Sequence, residues 1–414
     1  MTTPHPRIRR GLAAAVATGA LLVPLTGLPA GAAPLPAVTA ADSPSPSPSG
    51  SGVRAMSPEV AKELDARLQE VLRETGTPGV TVGIWTPGQE SYVRSFGVAD
   101  KSDGQPMAPD LYMRIGSETK TFTVTALLQL VDQGKVSLDD PIGKYIDGVP
   151  NGNRITLREL AGMRSGLFNY SNDEGFYRAL TSDPQHVFSP QRLLDYSFRH
   201  PPVFPPGEKF DYSNTNLILL GLLVEQRSGQ PLDQYIQRNI LDPAGLKHTV
   251  FPTNADFPEP HAQGYSRQTA DGRDQDTADW NPSWAWAAGA MISTLQDMRV
   301  WAGTVASGEF PDGSRMISPA LQKERLVTPP TPVKGAGYGL GIFDVRGWIG
   351  HNGSLPGYES LTVHLPASGT TLVVLLNTDT DHDGEEPSTL FGRAVTEIVS
   401  PDHVFDLPAQ PTAH

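Results

Sequence analysis

Ser117-Glu118-Thr119-Lys120, together with the run that follows it, decides how this chain is read. Phe122, Ala126, Leu127, Leu130 and Val131 recur at helical spacing and Gly134 supplies a stop. The stretch therefore predicts an amphipathic helix opening at the serine. Ser117 and Lys120 stand three residues apart and share a helix face. A serine hydroxyl is a weak nucleophile until a base takes its proton, and a lysine whose pKa is lowered by burial is such a base. The helix N-terminus adds N–H groups aimed at negative charge developing near Ser117. Alone, the pair reads more simply as a helix cap and a solvated lysine; two further motifs change that.

Tyr212-Ser213-Asn214 follows the turn-rich Pro205-Pro206-Gly207 and precedes a helix expected from about Asn216, with Leu217, Leu220, Leu223 and Val224 apolar. A phenol beside an ammonium group is expected to favour its phenolate form, so that Tyr212 shuttles a proton between Ser117 and a leaving group. The Asn214 amide suits a substrate carbonyl or Lys120. His351-Asn352-Gly353-Ser354 lies between two strand-like runs, 338–345 and 359–365. Gly353, lacking a Cβ, is expected to let a substrate backbone approach an edge strand. The Ser354 N–H would then complete an oxyanion hole with that of Ser117. Singly, these two motifs read as a satisfied buried tyrosine and a glycine-rich hairpin with a surface histidine.

In this order and spacing the three motifs resemble the penicillin-recognising serine hydrolases, in particular the serine D,D-carboxypeptidases, class C β-lactamases and related esterases. The resemblance runs from about Ser57 to Val404 and is supported by Met113-Arg114-Ile115-Gly116, Arg164-Ser165-Gly166-Leu167 and Ala288-Gly289-Ala290. It implies Ser117 as acylated nucleophile, Lys120 as its base, Tyr212 as acid/base partner, and Asn214, His351, Asn352, Gly353 and Ser354 as substrate-binding and oxyanion positions. It implies no metal and no cofactor. Histidine at position 351, where the β-lactamases usually carry lysine, favours the peptidases. Asn352 stands where a carboxylate-binding threonine is common, and Arg346 is the nearest arginine in sequence.

Over 414 residues there is no cysteine, which excludes disulfides and thiolate chemistry. The formal net charge of −13 argues against nucleic acid and anionic membranes as partners, and it becomes more negative once Arg7, Arg9 and Arg10 are removed. Those arginines, the apolar stretch Leu12 to Leu28 and Ala30-Gly31-Ala32 read as a cleaved signal peptide, so the protein is expected to be secreted, with no membrane span. The expected organisation is a signal peptide (1–32), a Ser/Pro-rich linker (33–56), a hydrolase domain (57–405) and a C-terminal tail (406–414).

A helix over 57–75, strands over 79–85 and 91–98, a mainly helical middle, strands over 338–345, 359–365 and 370–377, and a last helix over 387–399 make an α/β fold of the α+β kind. One antiparallel sheet would be built from both chain ends, with a helical region inserted. Asp379-Thr380-Asp381-His382-Asp383-Gly384 mimics a calcium loop but has Leu390 at its twelfth position, so it reads as a solvated turn. Trp284, Trp286 and Tyr265 are candidates for lining the cleft. The leading expectation is a secreted, monomeric D-alanyl-D-alanine carboxypeptidase acting through an acyl-enzyme on cell-wall peptides. A β-lactamase, a D-amino acid amidase or peptidase, an esterase, and a non-catalytic wall-binding module are the alternatives.

Overall fold

The computed structural model describes residues 52–407. The expected signal peptide, the linker as far as residue 51 and the tail from residue 408 lie outside them. Val53 and Met56, at the linker's end, pack against the core, and the Arg54 N–H donates to the Val399 carbonyl at 2.8 Å.

A seven-stranded antiparallel sheet organises the body. From the N-terminal side come β1 (Gly79–Trp85) and β2 (Tyr92–Gly97). The C-terminal side gives β3 (Ala336–Tyr338), β4 (Phe343–Val345), β5 (Trp348–Leu355), β6 (Tyr358–Leu365) and β7 (Thr370–Leu376). Their order is β2-β1-β7-β6-β5-β4-β3, so the first strand pairs directly with the last, Val80 opposite Leu376. The two chain ends thus build one sheet, as expected.

Every residue of β1 and of β7 is buried, because both faces of the sheet are covered. On one face lie α1 (Pro58–Thr75) and, at the far end of the chain, Pro387–Val399, which meets Leu361 through Gly392. Helix α1 starts at the Ser57 cap and stops at left-handed Gly76. It buries Val60, Leu64, Leu68 and Val71. Each such side chain contributes about 2 kcal/mol.

Against the opposite face, α4 (Leu295–Ser307) meets the strands, α2 (Thr119–Asp132) packs on α4, and α3 (Asn214–Ser228) packs on α2; the terminal helix Pro387–Val399 is α5. Helix α2 departs from expectation. It is buried almost all round, with eleven of its fourteen residues inside. Its threonines make this possible by returning their hydroxyls to nearby carbonyls, Thr121 to Glu118 and Thr125 to Thr121, both at 2.7 Å. Phe122 stacks on Trp301 of α4 with ring centroids 4.0 Å apart.

Two other differences follow from tertiary pairing. The expected strand over 338–345 divides into β3 and β4, and His351-Asn352-Gly353-Ser354 lies within a strand, β5, rather than in a hairpin loop. Along β5, β4 pairs with Trp348–Gly350 alone, so the second half of β5 is a local edge inside the sheet.

Candidate active site

Ser117 sits in a single 3₁₀ turn, Gly116–Glu118, that leads into α2. The turn is pinned from three sides. Ile115 N–H donates to the Met291 carbonyl at 3.0 Å, Ser360 Oγ to the Ile115 carbonyl at 3.0 Å, and Thr119 Oγ1 to the Gly116 carbonyl at 2.8 Å. Gly116 has φ +51°, and a Cβ there would lie 2.8 Å from the Ser354 nitrogen. A Cβ on Gly353 would run into the Ile115 carbonyl oxygen and lie 2.7 Å from Ser360 Oγ. Gly353 therefore makes room for the backbone leading into Ser117, not for the substrate backbone expected there.

Two glycines thus let the chain at Ser117 approach the chain at Ser354. The two-residue turn Pro356-Gly357 makes Leu355 and Tyr358 a hydrogen-bonded pair, and alternation then leaves Ser354, opposite Glu359, in the other kind of pair. Its N–H accordingly points away from β6, toward the local edge of β5.

Lys120 is fully buried, which overturns the solvated reading. Its Nζ lies 2.9 Å from Ser117 Oγ and donates to the Ala288 carbonyl at 2.7 Å. Burial drives its pKa well below the usual 10.5, which favours the uncharged amine that could take a proton from Ser117. The Tyr212 ring lies under this nitrogen, its centroid 4.8 Å away. Burial raises the Tyr212 pKa, while the contact of its hydroxyl with Ser117 acts the other way. The phenolate expectation fails because desolvation wins. Tyr212 rests as a phenol.

The segment Met163–Leu167 holds the Tyr212 loop on both sides. Gly207 N–H donates to the Arg164 carbonyl at 2.9 Å and Asp211 N–H to the Met163 carbonyl at 2.9 Å. Ser165 Oγ bonds Asn216 Oδ1 at 2.6 Å, tying the same segment to the first turn of α3, which begins at Asn214 rather than Asn216. Asn214 Nδ2 donates to Ser171 Oγ at 3.2 Å and does not hold Lys120; the Ala288 carbonyl does.

His351 is buried, and burial together with the nearby Lys120 lowers its pKa to about 3. Its Nδ1, 2.6 Å from the Asn352 carbonyl, must be the donor there, so Nε2 accepts from the Tyr338 hydroxyl at 3.0 Å. The imidazole is neutral and fixed.

Ser117, Tyr212, Asn214, His351, Asn352 and Ser354 open onto one cavity of about 380 Å³. Phe210, Tyr338, Phe343 and Leu407 give it apolar walls, and Asp381 and Glu386 a carboxylate wall; no lysine or arginine is among the described residues lining it. Sequence reasoning assigned none of the six to the cavity: five come from loops or strands with no motif of their own, and Asp381 was read only as part of a calcium-loop mimic. Arg346 lies in the β4–β5 turn, on a separate groove. Trp284 lines a different, smaller crevice, Trp286 is not on the wall, and Tyr265 instead carries Lys101 over its ring at 3.9 Å. Asp379 is buried and accepts from Ser266 Oγ at 3.0 Å and Gln268 Nε2 at 2.6 Å, whereas Asp381, Asp383 and Gly384 are exposed around a turn closed between His382 and Glu385, so only the first residue departs from the solvated turn expected.

The family model described as Beta-lactamase matches residues 64–394. The chain belongs to the β-lactamase family. It is 30% identical over 317 residues to a D-aminopeptidase of Brucella anthropi, covering 72% of this chain and 56% of that one. It is 34% identical over 221 residues to a provisionally named D-alanyl-D-alanine carboxypeptidase of Escherichia coli, covering 47% and 49%. The chain thus spans about half the length of these two relatives. Among solved structures, a D-stereospecific amidohydrolase from Streptomyces superposes with a TM-score of 0.70 at 29% identity, covering 77% of this chain and 94% of that one. The family member in hand is therefore a mixed α/β serine hydrolase. No described helix is long and apolar enough to cross a membrane.

Proposed function

We propose that this protein cleaves amide bonds beside D-configured residues through an acyl-enzyme on Ser117. The observation that carries this reading is the buried Lys120 nitrogen, its pKa lowered by desolvation, 2.9 Å from the Oγ of Ser117, which lines the cavity. Lys120 takes the hydroxyl proton as Ser117 attacks the carbonyl carbon. The N–H groups of Ser117 and Ser354 stabilise the resulting oxyanion, a contribution of about 10²- to 10³-fold per donor. Tyr212, resting protonated, gives its proton to the leaving nitrogen and is resupplied from the Lys120 ammonium. Water then follows the reverse path to release the acyl group. The D-aminopeptidase and D-stereospecific amidohydrolase relatives support the substrate class. The expected signal peptide supports a site of action outside the cell.

The narrower reading, a D-alanyl-D-alanine carboxypeptidase on cell-wall peptides, is favoured by His351 in the third motif and by the Escherichia coli relative. The two readings part on products. Ammonia released from D-amino acid amides marks the first, and D-alanine released from a D-Ala-D-Ala peptide marks the second. A Ser117→Ala variant that kept either activity would refute both.

A further inference from the structure

We propose that the carboxylate wall of the Ser117 cavity, Glu386 with Asp381, is the subsite for a substrate ammonium group; this rests on the acyl-hydrolase reading above. Glu386 occupies the N-cap position of α5 yet does not cap it. That task falls to Glu359 of β6, whose Oε2 accepts from the Ser388 N–H at 2.8 Å. The Glu386 side chain is thereby released toward the cavity, where Asn352 Nδ2 donates to one of its oxygens at 2.8 Å. Neither Glu386 nor Asp381 forms an ion pair among the described residues. Behind Glu386, Glu359 is buried with Oε1 lacking any hydrogen-bond partner.

Burial raises the pKa of both glutamates, and Glu386 raises that of Glu359 further. A wall that already repels its own charge gains from a cation and loses from an anion. A substrate amine donates a charge-assisted hydrogen bond to Glu386 while Asp381 adds to the field. A substrate carboxylate placed there meets two like charges and no lysine or arginine. Phe210, Phe343 and Leu407 leave room beside this wall for an apolar substrate side chain. The selected substrate is thus an amide or peptide with a free amine, carried either on the α-carbon or at the end of its side chain.

The test measures kcat/KM at neutral pH for D-phenylalanine p-nitroanilide against its N-acetyl derivative, and for N-acetyl-D-lysine p-nitroanilide against N-acetyl-D-norleucine p-nitroanilide. One charged hydrogen bond predicts a preference of about tenfold to a hundredfold for the ammonium member of one pair. A preference in the first pair assigns the α-amine, and one in the second the side-chain amine. Glu386→Gln should bring that ratio toward one, and Asp381→Asn, at an exposed position, should reduce it in part. Equal rates within both pairs, or an unchanged ratio in Glu386→Gln, overturn the proposal. Release of p-nitrophenol from p-nitrophenyl butyrate, read alongside, separates the two levels. Release that Ser117→Ala abolishes, without amine preference, removes only the subsite, and release that Ser117→Ala leaves unchanged removes the acyl-hydrolase reading and the subsite with it.

Discussion

Glu118, beside the nucleophile, offers a stability test that needs no substrate. Its side chain is fully buried against Ser360 and Thr362 of β6, and burial raises its pKa from the ordinary 4.5 to about 8. Its Oε1 and the Thr362 hydroxyl both lack hydrogen-bond partners. Between pH 4.5 and pH 8 the folded protein keeps this proton while the unfolded chain has released it. The unfolded state then binds fewer protons, so stability contributed here is complete below 4.5 and falls as pH rises toward 8. At 1.36 kcal/mol per pH unit, about 3 kcal/mol is lost by pH 7. Glu118→Gln removes the titration, keeps the shape and gives Thr362 a donor. Urea unfolding followed by circular dichroism should find the variant about 3 kcal/mol more stable than wild type at pH 7 than at pH 4.5. Glu359 and Glu386 titrate in both proteins and cancel from the difference. A wild-type-to-variant difference that does not change with pH, or that favours wild type as pH rises, would refute the reasoning.

The lowered Lys120 pKa predicts that acylation by an aryl ester, measured as kcat/KM, falls as pH drops and the amine protonates, and levels off well below pH 10.5; a rise continuing to 10.5 would mean a solvated lysine. Lys120→Met should cost about 10²- to 10⁴-fold in the same assay with the fold intact by circular dichroism. Gly353→Ala forces a methyl against the Ile115 carbonyl and Ser360 Oγ; it should cost about 1–3 kcal/mol in urea unfolding and lower ester hydrolysis by displacing the oxyanion donors. Ser165→Ala breaks the 2.6 Å bond to Asn216 and leaves a buried amide oxygen unpaired; a loss of about 1–3 kcal/mol is expected, together with a slower acylation as the Tyr212 loop loosens.

Much of the fold was legible because it rests on local signals. Ser57 and Gly76 bracket α1, and the apolar runs of β1 and β7 stand at opposite ends of the chain. The extent of the strand carrying His351 was not legible because Gly350 and Gly353 depress strand propensity locally; pairing with β6 overrides it. Burial of α2 on all sides was equally hidden, since its threonines look polar until their hydroxyls are turned back onto the helix.

By itself the sequence determined which groups meet at the nucleophile: a hydroxyl and an amine one helical turn apart, and a phenol and a glycine strand in motifs with their own spacing. Charge states and the cavity wall were decided only by tertiary structure. Whether Lys120 is an ammonium or an amine, and Tyr212 a phenolate or a phenol, depends on how much water is excluded. That is a property of α2, α3 and β5 packed together, not of any one segment. Glu386 joins the site for a similar reason, because Glu359, distant in sequence, takes over the capping of α5 and leaves the neighbouring carboxylate to face the cavity.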